Sequence, residues 1–182
     1  MRLAKLRRGG GHEAGYSLVE MLVVLTILGV VLGGLTSLFI QGSNAELDLN
    51  KRFEAQLTAR VALDKIRREV HCATVITPTG ASTTITLTLP SGCPTGSGSV
   101  SWCARAGSGH YALYRKVGTT CNSTGTKYAD YLTTGNVFIY TPQSGSTLAK
   151  LSVDFPVNVN PSKSVESYEL KDDIVLRNSV RL

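Results

Sequence analysis

The sequence predicts an α+β fold in which one long N-terminal helix packs on an antiparallel β-sheet. The first part of the chain is helical in character, because an uncharged apolar run, Met21–Ile40, is followed by apolar residues near the helical period in Ala45–Val70. After Cys72 the composition changes to Thr, Ser, Gly and β-branched residues, which favour strands and turns. A sheet with one apolar face needs a cover, which the amphipathic part of the helix can supply.

The apolar run Met21–Ile40 is long enough to cross a hydrocarbon core of ~30 Å as a helix. A basic leader precedes it, with four Lys or Arg residues and one Glu within Met1–Gly15. Positive charge before a span keeps the N-terminus in the cytoplasm and sends the rest of the chain across the membrane. Gly29 and Gly33 lie within the run and allow a close approach of neighbouring helices, although a flexible span explains them equally well.

Two ordinary interpretations of this N-terminus are a secretory signal peptide and an uncleaved signal anchor. The apolar run is longer than a signal core of ~7–15 residues, and Glu20 interrupts the junction between the basic and apolar regions. A carboxylate near the hydrocarbon edge costs free energy unless it finds a partner. If the chain is cut after Gly15, the new amine of Tyr16 can pair with Glu20 of its own or a neighbouring chain.

The stretch Gly15-Tyr16-Ser17-Leu18-Val19-Glu20, followed by the apolar run, resembles the prepilin cleavage and methylation motif of type IV pilins and type II secretion pseudopilins. The resemblance implies that prepilin peptidase cuts between Gly15 and Tyr16, that Tyr16 becomes N-methylated, and that Glu20 is an assembly contact. Tyr16 and Ser17 depart mildly from the Phe and Thr that are usual in the family. Ser37 stands where many major pilins carry a kink-forming Pro, which favours a minor pilin or pseudopilin.

The resemblance also implies the domain organisation. Residues 1–15 would be the leader peptide and residues 16–41 the helix that spans the membrane and later enters the fibre core. Residues 42–182 would form the extracytoplasmic head, with an amphipathic helix over about 45–71 and a sheet over about 74–182. Three segments of the head resemble J-type pseudopilins and related minor pilins, namely Val100-Ser101-Trp102, Leu113-Tyr114-Arg115 and Ile174-Val175-Leu176-Arg177-Asn178.

Within the head, the helix is predicted to bury one apolar stripe against its own sheet: Leu49, Phe53, Ala59, Leu63, Ile66 and Val70. The charge-rich stretch Lys65–Glu69 is interpreted as a solvated face. Tyr128–Leu132 is predicted as one helical turn, and Pro78-Thr79-Gly80 as a turn. The predicted strands are Thr74–Thr77, Thr83–Leu89, Ser99–Arg105, Tyr111–Val117, Val137–Thr141, Ala149–Phe155 and Glu169–Arg177.

Four cysteines follow the helix, and in a translocated domain an even number predicts two disulfides. The order of the strands favours Cys72–Cys93 together with Cys103–Cys121. Extending the register of the Ser99–Val117 hairpin would instead place Cys93 near Cys121, so the pairing stays open. A metal site is the weaker interpretation, because there is no Cys-x-x-Cys pair.

The chemistry of the sequence favours a structural protein over an enzyme, with no cofactor and no metal. His12, His71 and His110 accompany no recognised nucleophile motif. The net charge is +6, of which the leader carries +3, so nucleic-acid binding is not indicated. The expected partners are prepilin peptidase, other pilins through the N-terminal helix, and lipid before assembly. The expected location is the cytoplasmic membrane and then a cell-surface or periplasmic fibre. The alternatives are a pilus-tip adhesin or DNA-uptake receptor on the same anchor, and an anchored domain unrelated to fibres.

Overall fold

The computed structural model describes residues 15–160 and 167–178 and has an α+β, pilin-like arrangement. Over these residues one long helix is followed by nine strands. Helix α1 is Leu18–Cys72. The strands are β1 (Val75–Thr77), β2 (Gly80–Ser82), β3 (Thr84–Leu89), β4 (Gly98–Ala106), β5 (Tyr111–Val117), β6 (Thr126–Leu132), β7 (Phe138–Thr141), β8 (Lys150–Val157) and β9 (Tyr168–Val175).

The chain divides into two compact units, and the division falls between Leu47 and Asp48 within helix α1. The described residues of the first unit are all exposed. This part of the helix is long and apolar enough to cross a membrane. The hydroxyl groups of its threonines form hydrogen bonds with the backbone of the same helix. Thr26 Oγ1 donates to the carbonyl of Val23 and Thr36 Oγ1 donates to that of Leu32, both at 2.8 Å. Such internal hydrogen bonds lower the cost of placing a hydroxyl in lipid.

The second unit is the head, in which helix α1 buries a row of mostly small side chains against the sheet: Ala55, Ala59, Ala62, Leu63, Ile66 and Val70. Four of the six residues of the predicted stripe are therefore confirmed. The prediction was wrong for Leu49 and Phe53, which are exposed. Alanines bring the helix axis close to the sheet, so the large residues of the same helix are left on its other side.

The sheet of the head is antiparallel and curled, with the strand order β1-β3-β4-β5-β6-β8-β7-β2. Strand β9 lies outside this path and also pairs with β8. Its first and last strands, β1 and β2, are neighbours in sequence and are separated only by Pro78 and Thr79. Strand β8 alternates strictly between buried and half-buried residues, the pattern of a strand with one face on the core. The largest fully buried side chains include Trp102, Phe138 and Phe155.

Two sequence predictions for the sheet need correction. The segment predicted as a helical turn at Tyr128–Leu132 lies in strand β6, whose Ala129 is paired with Leu113 of β5. Residues Ala129 and Leu132 are buried there, three positions apart, because the β5–β6 register is irregular. The segment Gly80–Ser82, predicted partly as a turn, is strand β2 and pairs with β7.

Candidate processing and assembly site

The N-terminal site lies at the start of helix α1, where Gly15, Tyr16 and Ser17 precede the first helical residue, Leu18. The sequence prediction began the helix two residues earlier, at Tyr16. The amide of Met21 donates to the carbonyl of Ser17 at 3.1 Å, which is the first hydrogen bond of the helix. Tyr16 exposes 76% of its surface, so the Gly15–Tyr16 bond lies in an open, non-helical segment.

Gly15 is not required by the packing of the chain. A Cβ atom built on this residue would meet nothing within 4 Å. A fold usually requires glycine where another group approaches the backbone closely or where φ is positive. A Cβ atom at this position is therefore accommodated without a clash in the described part of the chain.

Glu20 is the only charged residue between Tyr16 and Ala45. It lies exposed in the first turn of helix α1, where a carboxylate interacts favourably with the helix dipole. Because the helix begins at Leu18, Ser17 occupies the N-cap position and Glu20 the third helical position. This Ser-x-x-Glu spacing is that of a capping box. This spacing is readable from the sequence, but the sequence analysis did not consider it.

The cysteines of the head form two disulfides, Cys72–Cys93 and Cys103–Cys121. The first joins the last residue of helix α1 to the loop that follows β3. The second joins β4 to the segment after β5. This is the pairing that the strand order favours, and both bonds connect elements that are already neighbours.

A buried carboxylate joins the head's helix to its sheet. Glu69 is fully buried, and its Oε2 accepts the indole N–H of Trp102 at 2.7 Å. Its Oε1 accepts the Nε–H of Arg115 at 2.9 Å and forms an ion pair with Nη2 of the same guanidinium at 2.8 Å. The interpretation of Lys65–Glu69 as a solvated face was therefore wrong for Glu69. The available signal was its phase, since Glu69 follows Ile66 by three residues and so lies on the buried side of the helix.

A second polar cluster lies beside strand β6. Asp130 contacts Lys127 at 2.7 Å and His110 at 2.9 Å, and it accepts the amide of Tyr131 at 2.9 Å. Burial alone would raise the pKa of Asp130, but the Lys127 hydrogen bond, the Tyr131 amide and the nearby positive charges hold that pKa below its usual value. The hydrogen bond with Asp130 and the negative charge of its carboxylate raise the pKa of Lys127.

Tyr131 has a φ of 60°, in the left-handed region that tyrosine seldom adopts, and its ring stacks on that of His110 with centroids 4.9 Å apart. A neighbouring open groove of about 270 Å³ lies between helix α1 and β6. Over the part of the chain that the structure describes, no three His, Cys, Asp or Glu side chains form a group that could hold a metal ion.

The structure thus defines a chain with an apolar N-terminal helix and a disulfide-bonded, pilin-like head. The family model of the prokaryotic N-terminal methylation motif matches residues 11–36. That match supports the type IV pilin family, and together with the apolar helix it indicates membrane anchoring. Comparisons with curated proteins and with solved structures found no match.

Proposed function

We propose that this protein is a minor pilin or pseudopilin, a structural subunit that prepilin peptidase cuts between Gly15 and Tyr16 and methylates at Tyr16. The subunit is then assembled into a type IV pilus or into a secretion or competence pseudopilus. The methylation motif matched at residues 11–36 carries this proposal, because this stretch includes the accessible Gly15–Tyr16 bond and the start of a helix that can span a membrane. The resemblance of Val100–Trp102 and Leu113–Arg115 to J-type pseudopilins supports a minor position in the fibre.

In this proposal Glu20 sets the position of the subunit in the fibre. Cleavage leaves a positively charged amine on Tyr16, and the carboxylate of Glu20 of an adjacent subunit pairs with it. In surroundings of low dielectric constant the pair is favoured over two separate ions. The absence of any other charge between Tyr16 and Ala45 leaves Glu20 as the only side chain in that stretch that can act in this way.

The exposed apolar side chains of Met21–Ile40 would first contact lipid and later the helices of other subunits. Both surroundings are apolar, so leaving the bilayer does not oppose the full hydrophobic free energy. The leader keeps the N-terminus in the cytoplasm, and the head lies outside the membrane, where its two disulfides can form.

The test separates the assembly role of Glu20 from its capping role. Glutamine is also a capping-box residue, so Glu20→Gln retains the helix start and removes only the charge. Cleavage of this variant, measured as loss of residues 1–15 by mass spectrometry, should continue, whereas its amount in sheared fibres should fall as far as that of Glu20→Ala. Normal incorporation of Glu20→Gln would remove the proposed role.

Gly15→Ile tests the cleavage site. A Cβ atom at this position meets nothing within 4 Å in the described part of the chain, which lies outside the folded head, so a block of processing would reflect the peptidase and not a folding defect. We expect the full-length mass to persist in the membrane. A processed Gly15→Ile chain would contradict the assignment of the cut.

A further inference from the structure

The groove between helix α1 and strand β6 has the composition of a ligand-binding site. It is open, holds about 270 Å³ and belongs entirely to the head. Its most deeply buried lining residues are small, Ala55 and Ala129. Two half-buried aromatic side chains, Tyr128 and Tyr131, line it from the strand. Small apolar residues, aromatic rings and a few polar groups together are typical of sites for small ligands. We call it the α1–β6 groove.

Strand β6 is distorted where it borders this groove. All five residues of Lys127–Tyr131 line it, although the alternation of a regular strand would turn every second side chain to the other face. The reason is the irregular register with β5. From Ala129 to Leu132 strand β6 advances three residues while β5 advances two, and β6 gains another residue between Lys127 and Ala129. Bulges of this kind redirect side chains and are frequent next to functional sites.

The backbone of Tyr131 is strained at the same place. Its φ of 60° lies in the left-handed region, which bulky residues seldom adopt. Two hydrogen bonds hold it there. Its amide donates to Oδ1 of Asp130 at 2.9 Å, and its carbonyl accepts the amide of Asn158 at 2.9 Å. Strain that the surroundings maintain at a non-glycine residue is concentrated at functional and ligand-binding sites.

The two tyrosines are fixed by their rings and leave their hydroxyl groups available. The ring of Tyr131 stacks on His110 and that of Tyr128 packs on Trp102, in both cases with centroids 4.9 Å apart. Within the described residues neither phenol hydroxyl forms a hydrogen bond. A ligand can therefore bond to both hydroxyl groups without breaking a contact of the folded chain.

The charges of the groove restrict the chemistry of the ligand. The cations Lys51 and Lys127 and the carboxylates Glu54 and Asp130 line it, so the lining has no net charge. Lys127 and Asp130 pair at 2.7 Å, whereas Lys51 and Glu54 are exposed and have no partner in the part of the chain that the structure describes. A ligand with excess charge of either sign would lie against a like charge. An apolar ligand would remove water from Lys51 and Glu54 without replacing its hydrogen bonds.

A neutral ligand with several hydroxyl groups avoids both costs. Each hydroxyl donates one hydrogen bond and accepts others, so it can accept from Lys51 and donate to Glu54. A sugar ring also has apolar C–H faces that can pack on the tyrosines. We infer that the α1–β6 groove binds a neutral saccharide, as a short segment of a glycan. The volume lies just below the ~300–1,000 Å³ of sites for drug-sized ligands, which keeps the bound segment short. This inference concerns the head alone and does not depend on cleavage or assembly.

The test is saturation-transfer NMR on the full-length protein in a polyoxyethylene detergent, whose headgroup is neither a sugar nor charged. The neutral probes are maltotriose, cellotriose and triacetylchitotriose. The charged probes are trigalacturonate, the cationic chitotriose and the zwitterion dialanine. We expect transfer to at least one neutral trisaccharide and none to the charged or zwitterionic probes.

Three variants test whether the bound trisaccharide lies in the groove. Lys51→Met and Glu54→Gln each remove a charge, and Tyr131→Phe removes only a hydroxyl and keeps the ring on His110. Each should weaken binding by about two- to tenfold, the scale of one hydrogen bond. Lys171→Met, which changes an exposed cation of strand β9, is the matched control and should leave the affinity unchanged. Thermal unfolding of the same samples checks that all four variants are folded.

Three results would overturn the inference: no transfer to any neutral trisaccharide, a charged or zwitterionic probe that binds as tightly, or groove variants that bind like Lys171→Met. The N-terminal mass separates this inference from the proposed function. All four variants should still lose residues 1–15 in cells, because the groove is remote in sequence from Gly15. Failure of saccharide binding with normal processing removes only the groove inference, and saccharide binding by a chain that keeps residues 1–15 removes only the proposed function.

Discussion

The indole N–H of Trp102 donates to the buried carboxylate of Glu69 at 2.7 Å and so ties strand β4 to helix α1 inside the core of the head. The other oxygen of the same carboxylate accepts Arg115 of strand β5. One helical side chain therefore satisfies donors on two adjacent strands. This arrangement fixes both the rotation of the helix and its position along the sheet.

Replacing Glu69 by alanine should strongly destabilise the head. The change leaves the guanidinium of Arg115 and the indole N–H of Trp102 without their acceptor, at a cost of about 3–5 kcal/mol. Thermal unfolding of the full-length protein in detergent would measure it. Glu54→Ala, on the exposed side of the same helix, should change stability by less than about 0.5 kcal/mol. Equal effects of the two substitutions would contradict the role of Glu69.

Removal of the Cys103–Cys121 disulfide should lower stability chiefly through the unfolded chain. The two residues are separated by 18 positions, and closing a loop of this size contributes about 3 kcal/mol in the chain-entropy model. The double variant Cys103→Ser, Cys121→Ser tests this by denaturant unfolding. Non-reducing peptide mapping of the wild-type protein is the companion measurement, and a Cys93–Cys121 peptide there would disprove the pairing.

Gly125 is required by a close contact, and Gly92 is not. A Cβ atom on Gly125 would lie 2.7 Å from the carbonyl oxygen of Arg115, a backbone atom that cannot move without disturbing strand β5. Gly125→Ala should therefore destabilise by about 1–3 kcal/mol. Gly92→Ala meets nothing within 4 Å and serves as the control, with an expected change within about 0.5 kcal/mol. A neutral Gly125→Ala would show that the turn can relax.

The stability of the head should fall at acid pH partly through Asp130. The pKa of Asp130 is lower in the folded chain than its ordinary value of 3.8, so the unfolded chain binds this proton more readily. The stabilisation is fully present above pH 3.8 and is lost as the pH falls through the lower, folded pKa. Unfolding temperatures recorded across that range should decline less steeply for Asp130→Asn than for the wild type. Superimposable curves would contradict this assignment.

Lys127→Met offers a second measurement on the same group. It removes the hydrogen bond and the charge that lower the pKa of Asp130, while the amide of Tyr131 remains. The acid-dependent loss of stability should therefore be smaller than in the wild type. A steeper loss would show that Lys127 acts elsewhere.

The N-terminal part of the molecule was predictable because composition and spacing alone determine it. A charge-free apolar run of this length predicts a helix that spans a membrane, and Glu20 is easily recognised as the one charged residue beside it. The positions of the main strands along the chain also followed from alternation and turn residues. The start of the helix at Leu18 was harder to predict from the sequence, because helix ends depend on one or two hydrogen bonds.

The face of the helix was harder to predict. Helix α1 carries two apolar rows in the head, an exposed row of Leu49, Phe53, Leu57 and Val61 and a buried row that includes Ala59 and Ile66. Periodicity alone favours the large residues as the buried face. The sheet packs instead on the alanine-rich row, because small side chains let the helix and the sheet approach closely. The burial of Glu69 was indicated by its phase on the helix, but its donors, Trp102 on β4 and Arg115 on β5, were not predictable from the sequence. The segment Tyr128–Leu132 of strand β6 was ambiguous because five residues are too few to distinguish the helical period from the strand period.

The shortness of β1 and β2 has a consequence for contacts between the heads of neighbouring copies. Each has only three residues, and together they end the main path of the sheet on both sides of Pro78. The remaining border, β9, carries Glu169, Lys171, Asp172 and Asp173 along its length. Edge strands that are short or charged disfavour pairing with the edge of another sheet, which leads to aggregation. Under the proposed function, contacts between subunits would then be made by helices and not by the edges of the sheet.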